Sequence, residues 1–263
     1  MSTQQHADDS IPILKRIWCW TQIFLHVVNG LAVLLIRFPL ATQKEKDSRI
    51  QKWSCRLLEI FGIQLRIHGS KILLSEPFLL AANHISWMDI HAINACIPIR
   101  FVAKSEVEGW PIFGWMAKQL GTVFIKRDNS RHARHIAGEV GKVLNTQSIC
   151  IFPEGTSTEG EALLPFKPNL FESAIIAKVP VYSLAISYKS SITGLRSTAA
   201  AFVGDMGLLE SMSNILNTRN LVVELTFLLP SGSSSEATRD RKWLALHSQE
   251  AISNQLGGIQ QFM

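Results

Sequence analysis

Phe78-Leu-Leu-Ala-Ala-Asn-His-Ile-Ser-Trp-Met-Asp89 decides the reading of the chain. Its first five residues are apolar and too few for a helix, so they read as a buried strand. The polar residues that follow read as a loop, and a helix can begin at Trp87. Strand-to-helix junctions are where α/β domains place their chemistry. The pattern continues from residue 63 onward, with short β-branched or Leu-rich runs alternating with longer helical ones. Strands are predicted at 64–68, 78–82, 100–103, 122–126, 148–152, 181–187, 199–203 and 221–229. Helices are predicted at 87–95, 111–120, 131–144, 170–177, 208–216 and 239–256. The expected fold is α/β, a mixed central sheet flanked by helices.

The chain of 263 residues is 47% apolar, enough for one sizeable core. Its 26 Lys and Arg exceed 21 Asp and Glu, giving a formal charge of +5. That excess suits an anionic partner. No basic run interleaved with exposed aromatics is visible, so nucleic acid is not the expected one. Cys19, Cys55, Cys96 and Cys150 are scattered, without C-x-x-C spacing, and read as reduced thiols rather than a disulfide framework or a zinc site.

Residues 17–36 contain no Asp, Glu, Lys or Arg and are long enough to cross a bilayer as a helix. The stretch is long for a signal peptide, and Arg37-Phe-Pro-Leu-Ala-Thr is a poor cleavage site, so an uncleaved anchor is expected. Arg37, Lys44, Lys46, Arg49, Lys52 and Arg56 follow the segment, against Lys15 and Arg16 before it. The positive-inside rule then places the rest of the chain in the cytoplasm, on an inner membrane. Gln22, His26 and Asn29 inside the segment leave an interfacial placement open. Trp53, Leu57, Leu58 and Phe61 recur at helical spacing, as a second interfacial helix requires; packing against the core is the alternative. The expected organisation is an anchor with interfacial helices over 1–62 and a catalytic domain over 63–263.

Three stretches carry candidate chemistry. In Asn83-His84-Ile85-Ser86-Trp87-Met88-Asp89 the chain can fold back so that the Asp89 carboxylate meets the His84 imidazole, fixing its tautomer and stabilising the imidazolium. Ser86-x-x-Asp89 equally matches a helix capping box. A metal site at His84, Asp89 and His91 lacks further ligands at convincing spacing. In Phe152-Pro-Glu-Gly-Thr-Ser157 a tight turn follows a strand; Glu154 can accept from a substrate hydroxyl there, and Pro-Glu-Gly equally suits a purely structural turn. The strand Gly121-Thr-Val-Phe-Ile-Lys126-Arg127 delivers two cations at its end, on opposite faces.

An NHxxxxD loop, a glycine-led strand ending in Arg127, an FPEGT turn and then Val179-Pro180-Val181 resemble, in this order, the four blocks of the glycerolipid acyltransferases typified by 1-acylglycerol-3-phosphate acyltransferases. The resemblance covers residues 65–230 and extends to Phe101-Val-Ala-Lys104 and Trp110-Pro-Ile-Phe-Gly114. It implies the glycerolipid acyltransferase fold and transfer of a fatty acyl group to the hydroxyl of a lysolipid, without a metal or a resident cofactor. The donor is acyl carrier protein or coenzyme A as a thioester co-substrate. By the same resemblance His84 is the base and Asp89 its orienting acid. Glu154, Gly155 and Thr156 position the acceptor, and Arg127 with Lys104 faces its anionic head. Two rival classes are a serine hydrolase built on Ser86, for which no G-x-S-x-G elbow exists, and a non-catalytic lipid-binding membrane protein.

The chain departs from the family pattern where Arg usually follows FPEGT; Ser157 stands there, with Thr158 next. Phe166-Lys167-Pro168-Asn169 also departs from the usual FKKG, leaving Lys167 as a substitute cation. A Ser or Thr in this slot resembles the bacterial branch that includes lyso-ornithine-lipid acyltransferases. Lysophosphatidate, giving phosphatidate, is the first expectation for the acceptor and lyso-ornithine lipid the second.

Overall fold

The computed structural model describes residues 13–72, 77–125, 130–231 and 240–257. Among the described residues, strands β1 (Gln64–His68), β2 (Leu79–Ala82), β3 (Arg100–Lys104), β4 (Val123–Ile125), β5 (Ile149–Ile151), β6 (Val181–Ser190) and β7 (Leu221–Ser231) form one sheet in the order β1-β7-β6-β2-β5-β3-β4. The pairings β6-β2, β2-β5, β5-β3 and β3-β4 are parallel. Every residue of β2 and β5 is buried. This is why both read as unbroken apolar runs rather than alternating ones.

The chain divides into two compact units. One holds residues 67–84, 99–186 and 225–257. Its core is built by Leu79 and Ala81 of β2 and Ile149 and Ile151 of β5. These pack with Val140 and Leu144 of α6 (Ser130–Leu144), Ala174 of α7 (Glu172–Ala177) and Ile252 of α9 (Arg241–Gln255). Because β2, β5 and β3 are parallel, their C-terminal ends share one edge; the loops leaving β2 and β5 carry His84 and Phe152, and Lys104 ends β3.

The other unit holds residues 13–66, 85–98 and 187–224. It contains helices α1 (Ile13–Ala32), α2 (Gln43–Phe61), α3 (Met88–Cys96) and α8 (Leu208–Leu216). The α1 helix continues through a π turn to Arg37, giving 25 residues long and apolar enough to cross a membrane. Leu14, Trp18, Phe24 and Leu25 are exposed. Its polar groups turn instead to α2. The Arg56 guanidinium donates to Gln22 Oε1 at 2.7 Å, and Trp53 Nε1 donates to the His26 carbonyl at 3.3 Å beneath stacked rings. Leu57, Leu58 and Phe61 of α2 are buried, and Trp53 is half-buried. Thr42 and Glu45 close a capping box at its start.

The predicted strand 199–203 does not form. Residues 199 and 200 make a turn, and the Phe202 N–H donates to the Ile85 carbonyl at 2.9 Å rather than to a neighbouring strand. A short helix at Ser105–Glu108 (α4), between β3 and the helix Phe113–Gln119 (α5), is an addition to the predicted elements. It has only four residues and no apolar periodicity to announce it.

Candidate active site

The loop after β2 is built by its first residue. β2 and β6 run in register through Ala82 and Leu184. Beyond that point the fully buried Asn83 side chain replaces the backbone ladder. Its amide donates to the Ile186 carbonyl at 3.0 Å, and its Oδ1 accepts from the Ile186 N–H at 2.7 Å. The main chain is thereby freed to turn away, carrying His84 out of the sheet.

His84 is held by its backbone. Its N–H donates to Glu154 Oε1 at 2.8 Å, and its carbonyl accepts from the Thr158 N–H at 2.9 Å and from Thr158 Oγ1 at 3.4 Å. Both clamps come from the turn after β5. Glu154 is 2% exposed, and its second oxygen accepts from the Leu164 N–H at 2.9 Å. A buried carboxylate accepting two backbone amides is a strong cross-brace. Gly155 adopts φ +80°, the left-handed conformation this turn demands, and its N–H donates to the Phe152 carbonyl. Thr156 is exposed and Ser157 half-buried. The His84 imidazole lies on the Phe152 ring, centroids 4.0 Å apart and planes 18° from parallel.

Asp89 lies in the first turn of α3, fully buried. Its Oδ2 accepts from the Ile85 N–H at 2.7 Å and the Ser86 N–H at 2.9 Å, and its Oδ1 accepts from the Tyr188 hydroxyl at 2.8 Å. The capping reading of Ser86 and Asp89 is thus met in part. Ser86 Oγ accepts from the Met88 N–H at 3.2 Å and is itself buried, tied to the helix start rather than presented as a nucleophile. Burial and the Asp89 charge push the Tyr188 phenol well above its usual range, so it stays protonated and donates. Trp87 Nε1 donates to Ser211 Oγ at 3.0 Å, fastening the motif's tryptophan to α8.

Lys104 is exposed at the C-terminal end of β3. Lys167 is exposed too, and its N–H donates to the Pro153 carbonyl at 2.9 Å, beside the Glu154 turn. Lys126 and Arg127 lie outside the described residues. Among the described residues no group of three or more His, Cys, Asp or Glu is placed to hold a metal. Sequence reasoning missed Tyr188, Thr158 and the bracing role of Glu154. Nothing in the local sequence of β6 signals that one of its tyrosines reaches a carboxylate 99 residues away.

Residues 64–187 match the family model described as Acyltransferase. The chain is 36% identical over 218 residues to the lyso-ornithine lipid O-acyltransferase of Pseudomonas aeruginosa, covering 82% of this chain and 81% of that protein. It is 38% identical over 162 residues to the 1-acyl-sn-glycerol-3-phosphate acyltransferase of Neisseria gonorrhoeae, covering 61% of this chain and 63% of that one. The fold is that of the crystal structure of the 1-acyl-sn-glycerophosphate acyltransferase PlsC from Thermotoga maritima. The TM-score is 0.67 over 95% of this chain and 97% of that chain, at 19% identity. The chain belongs to the acyltransferase family that includes the lysolipid and 1-acylglycerol-3-phosphate O-acyltransferases.

Proposed function

We propose that this acyltransferase moves a fatty acyl group from a thioester, carried by acyl carrier protein or coenzyme A, to the free hydroxyl of a lysolipid, with His84 as general base and Asp89 as its orienting acid. The observation that carries this reading is the double clamp on the His84 backbone. The Phe152–Thr158 turn holds the residue by both its N–H and its carbonyl while its ring lies on Phe152. Such anchoring fixes where an imidazole is presented, as proton transfer in a transition state requires.

In this mechanism the acceptor oxygen attacks the thioester carbonyl as its proton passes to the His84 imidazole. The new C–O bond forms, the C–S bond breaks, and the departing thiolate recovers the proton from the imidazolium. The carboxylate of Asp89 lowers the cost of the transient positive charge. Glu154 and Gly155 shape the acceptor side through the turn, with Thr156 on its exposed rim. Arg127, Lys104 and Lys167 are the cations assigned to an anionic head group. The apolar α1 segment anchors the chain in the inner membrane, and the basic residues after it orient the catalytic portion toward the cytoplasm.

Two observations favour lyso-ornithine lipid as acceptor alongside lysophosphatidate. Ser157 stands where the family pattern usually has Arg after FPEGT. The match to the lyso-ornithine relative extends over 81% of that protein, against 63% for the phosphate-acceptor relative. Offering both lysolipids in competition, each with both donors, decides the order. For the mechanism, the His84→Ala variant is expected to lose about 1,000-fold or more in turnover, by the scale of general-base catalysis with its positioning. It should remain folded by circular dichroism and bound to membranes. Undiminished transfer by folded His84→Ala sinks the assignment of His84 as the base.

A further inference from the structure

We infer that Phe152 is a positioning residue for the base: its ring face is the platform on which the His84 imidazole is oriented and on which its positive charge develops. The inference rests on the reading of His84 as the base. The two rings are 4.0 Å apart between centroids and 18° from parallel, so the imidazole covers the π face rather than the ring edge. A cation over that face is attracted by the ring's negative quadrupole, whereas the neutral imidazole gains much less. Stacking therefore favours the state reached after proton abstraction.

The platform is rigid for reasons visible in the sheet. β5 pairs with β2 through Ile151 and Ala81, so Phe152 leaves its strand one residue after the last paired position. On its other side β5 pairs with β3, with Cys150 opposite Phe101. That register sets the buried Phe101 ring nearly parallel to Phe152, 15° apart in plane and 6.1 Å between centroids. Phe101, Phe152 and His84 thus form a stepped aromatic series running from the sheet to the base. Phe152 also opens the turn whose Glu154 and Thr158 grip the His84 backbone. The same short turn therefore fixes both where His84 is attached and the plane in which its ring lies. A turn that served only to hold the acceptor has no need of an aromatic residue under the imidazole.

The test uses the full-length protein in membranes and follows the pH dependence of kcat/KM, whose acid limb reports the base of the free enzyme. Three variants are compared: Phe152→Leu, Phe152 replaced by pentafluorophenylalanine, which keeps the shape and reverses the quadrupole, and Phe101→Leu. Losing the π face lowers the affinity of the base for its proton. The acid limb is then expected to move to lower pH by roughly half a unit to one unit, and the plateau to fall about three- to tenfold. Phe101→Leu should move the limb in the same direction by less. A merely structural role lowers the plateau without moving the limb. An unmoved acid limb in the fluorinated variant overturns the inference, whatever the plateau does, and that variant decides even where Phe152→Leu fails to fold. Turnover retained by folded His84→Ala instead removes the reading beneath it, so the two failures are distinguishable.

Discussion

The two ends of the Asn83–Asp89 loop are held in opposite ways. At one end the backbone of His84 is gripped at its N–H and its carbonyl from the turn after β5, and the ring rests against an aromatic face. At the other end the Asp89 side chain is what is gripped: its carboxylate takes two backbone amides from Ile85 and Ser86 and a phenol from Tyr188. The difference follows from the chemistry proposed for each. A base must change its protonation, and here it is the main chain that the turn fixes. An orienting acid must stay still, and here the carboxylate is surrounded by donors. Three further experiments probe that division of labour.

The largest effect is expected at Glu154. Glu154→Leu strands the N–H groups of His84 and Leu164 in a buried setting, and two lost charge-assisted bonds cost roughly 3–5 kcal/mol. Chemical denaturation should register that loss, and turnover should drop with it, because the His84 backbone no longer has its clamp. A stable, active Glu154→Leu would mean that the imidazole is placed without the turn.

A smaller effect is expected from Tyr188→Phe. Removing one buried donor to a carboxylate costs about 1.5–3 kcal/mol. Turnover should fall modestly, since Asp89 keeps both amides. The pH dependence has a definite sign. The phenol is raised above its reference value of 10.0 in the folded chain. Its contribution is therefore fully present below pH 10 and is lost as pH rises beyond it, when the unfolded chain ionises first. Denaturation series across that alkaline range should show the decline in the wild type and a flatter curve in Tyr188→Phe.

The smallest effect concerns His91 on α3, whose Nδ1 is buried without a hydrogen-bond partner among the described residues. Burial lowers its pKa from 6.5 to about 4. A depressed histidine contributes stability that is present above pH 6.5 and lost as pH falls toward 4, because the unfolded chain takes up the proton first. His91→Phe should remove that acid-side slope in denaturation midpoints while leaving neutral stability within about 1 kcal/mol. A slope that persists assigns it to other groups.

Much of this architecture is legible in the order of the residues. The apolar runs at Leu79–Ala82 and Ile149–Ile151 mark buried strands, because strands covered on both faces need apolar residues at every position. The charge-free stretch at 17–36 marks a long apolar helix, and the ordered blocks mark the family. The run at 199–203 misleads because its Ala, Phe and Val suit a strand locally, whereas the Phe202 amide is used by Ile85, far away in sequence. Glu154 stands out as a residue of interest but not as a brace, since its partners, the amides of His84 and Leu164, are backbone groups common to every sequence.

Fold class, family and the position of the candidate base could all be read from the chain alone, because they depend on periodicity and on rare residue types at fixed spacing. What holds that base emerges only on folding: Glu154 and Thr158 on its backbone, Phe152 beneath its ring, and Tyr188 on the carboxylate of Asp89. Hydrogen bonds to main-chain groups and stacking between distant aromatics leave no local pattern; they arise from strand register, which brings together residues that composition and spacing keep apart.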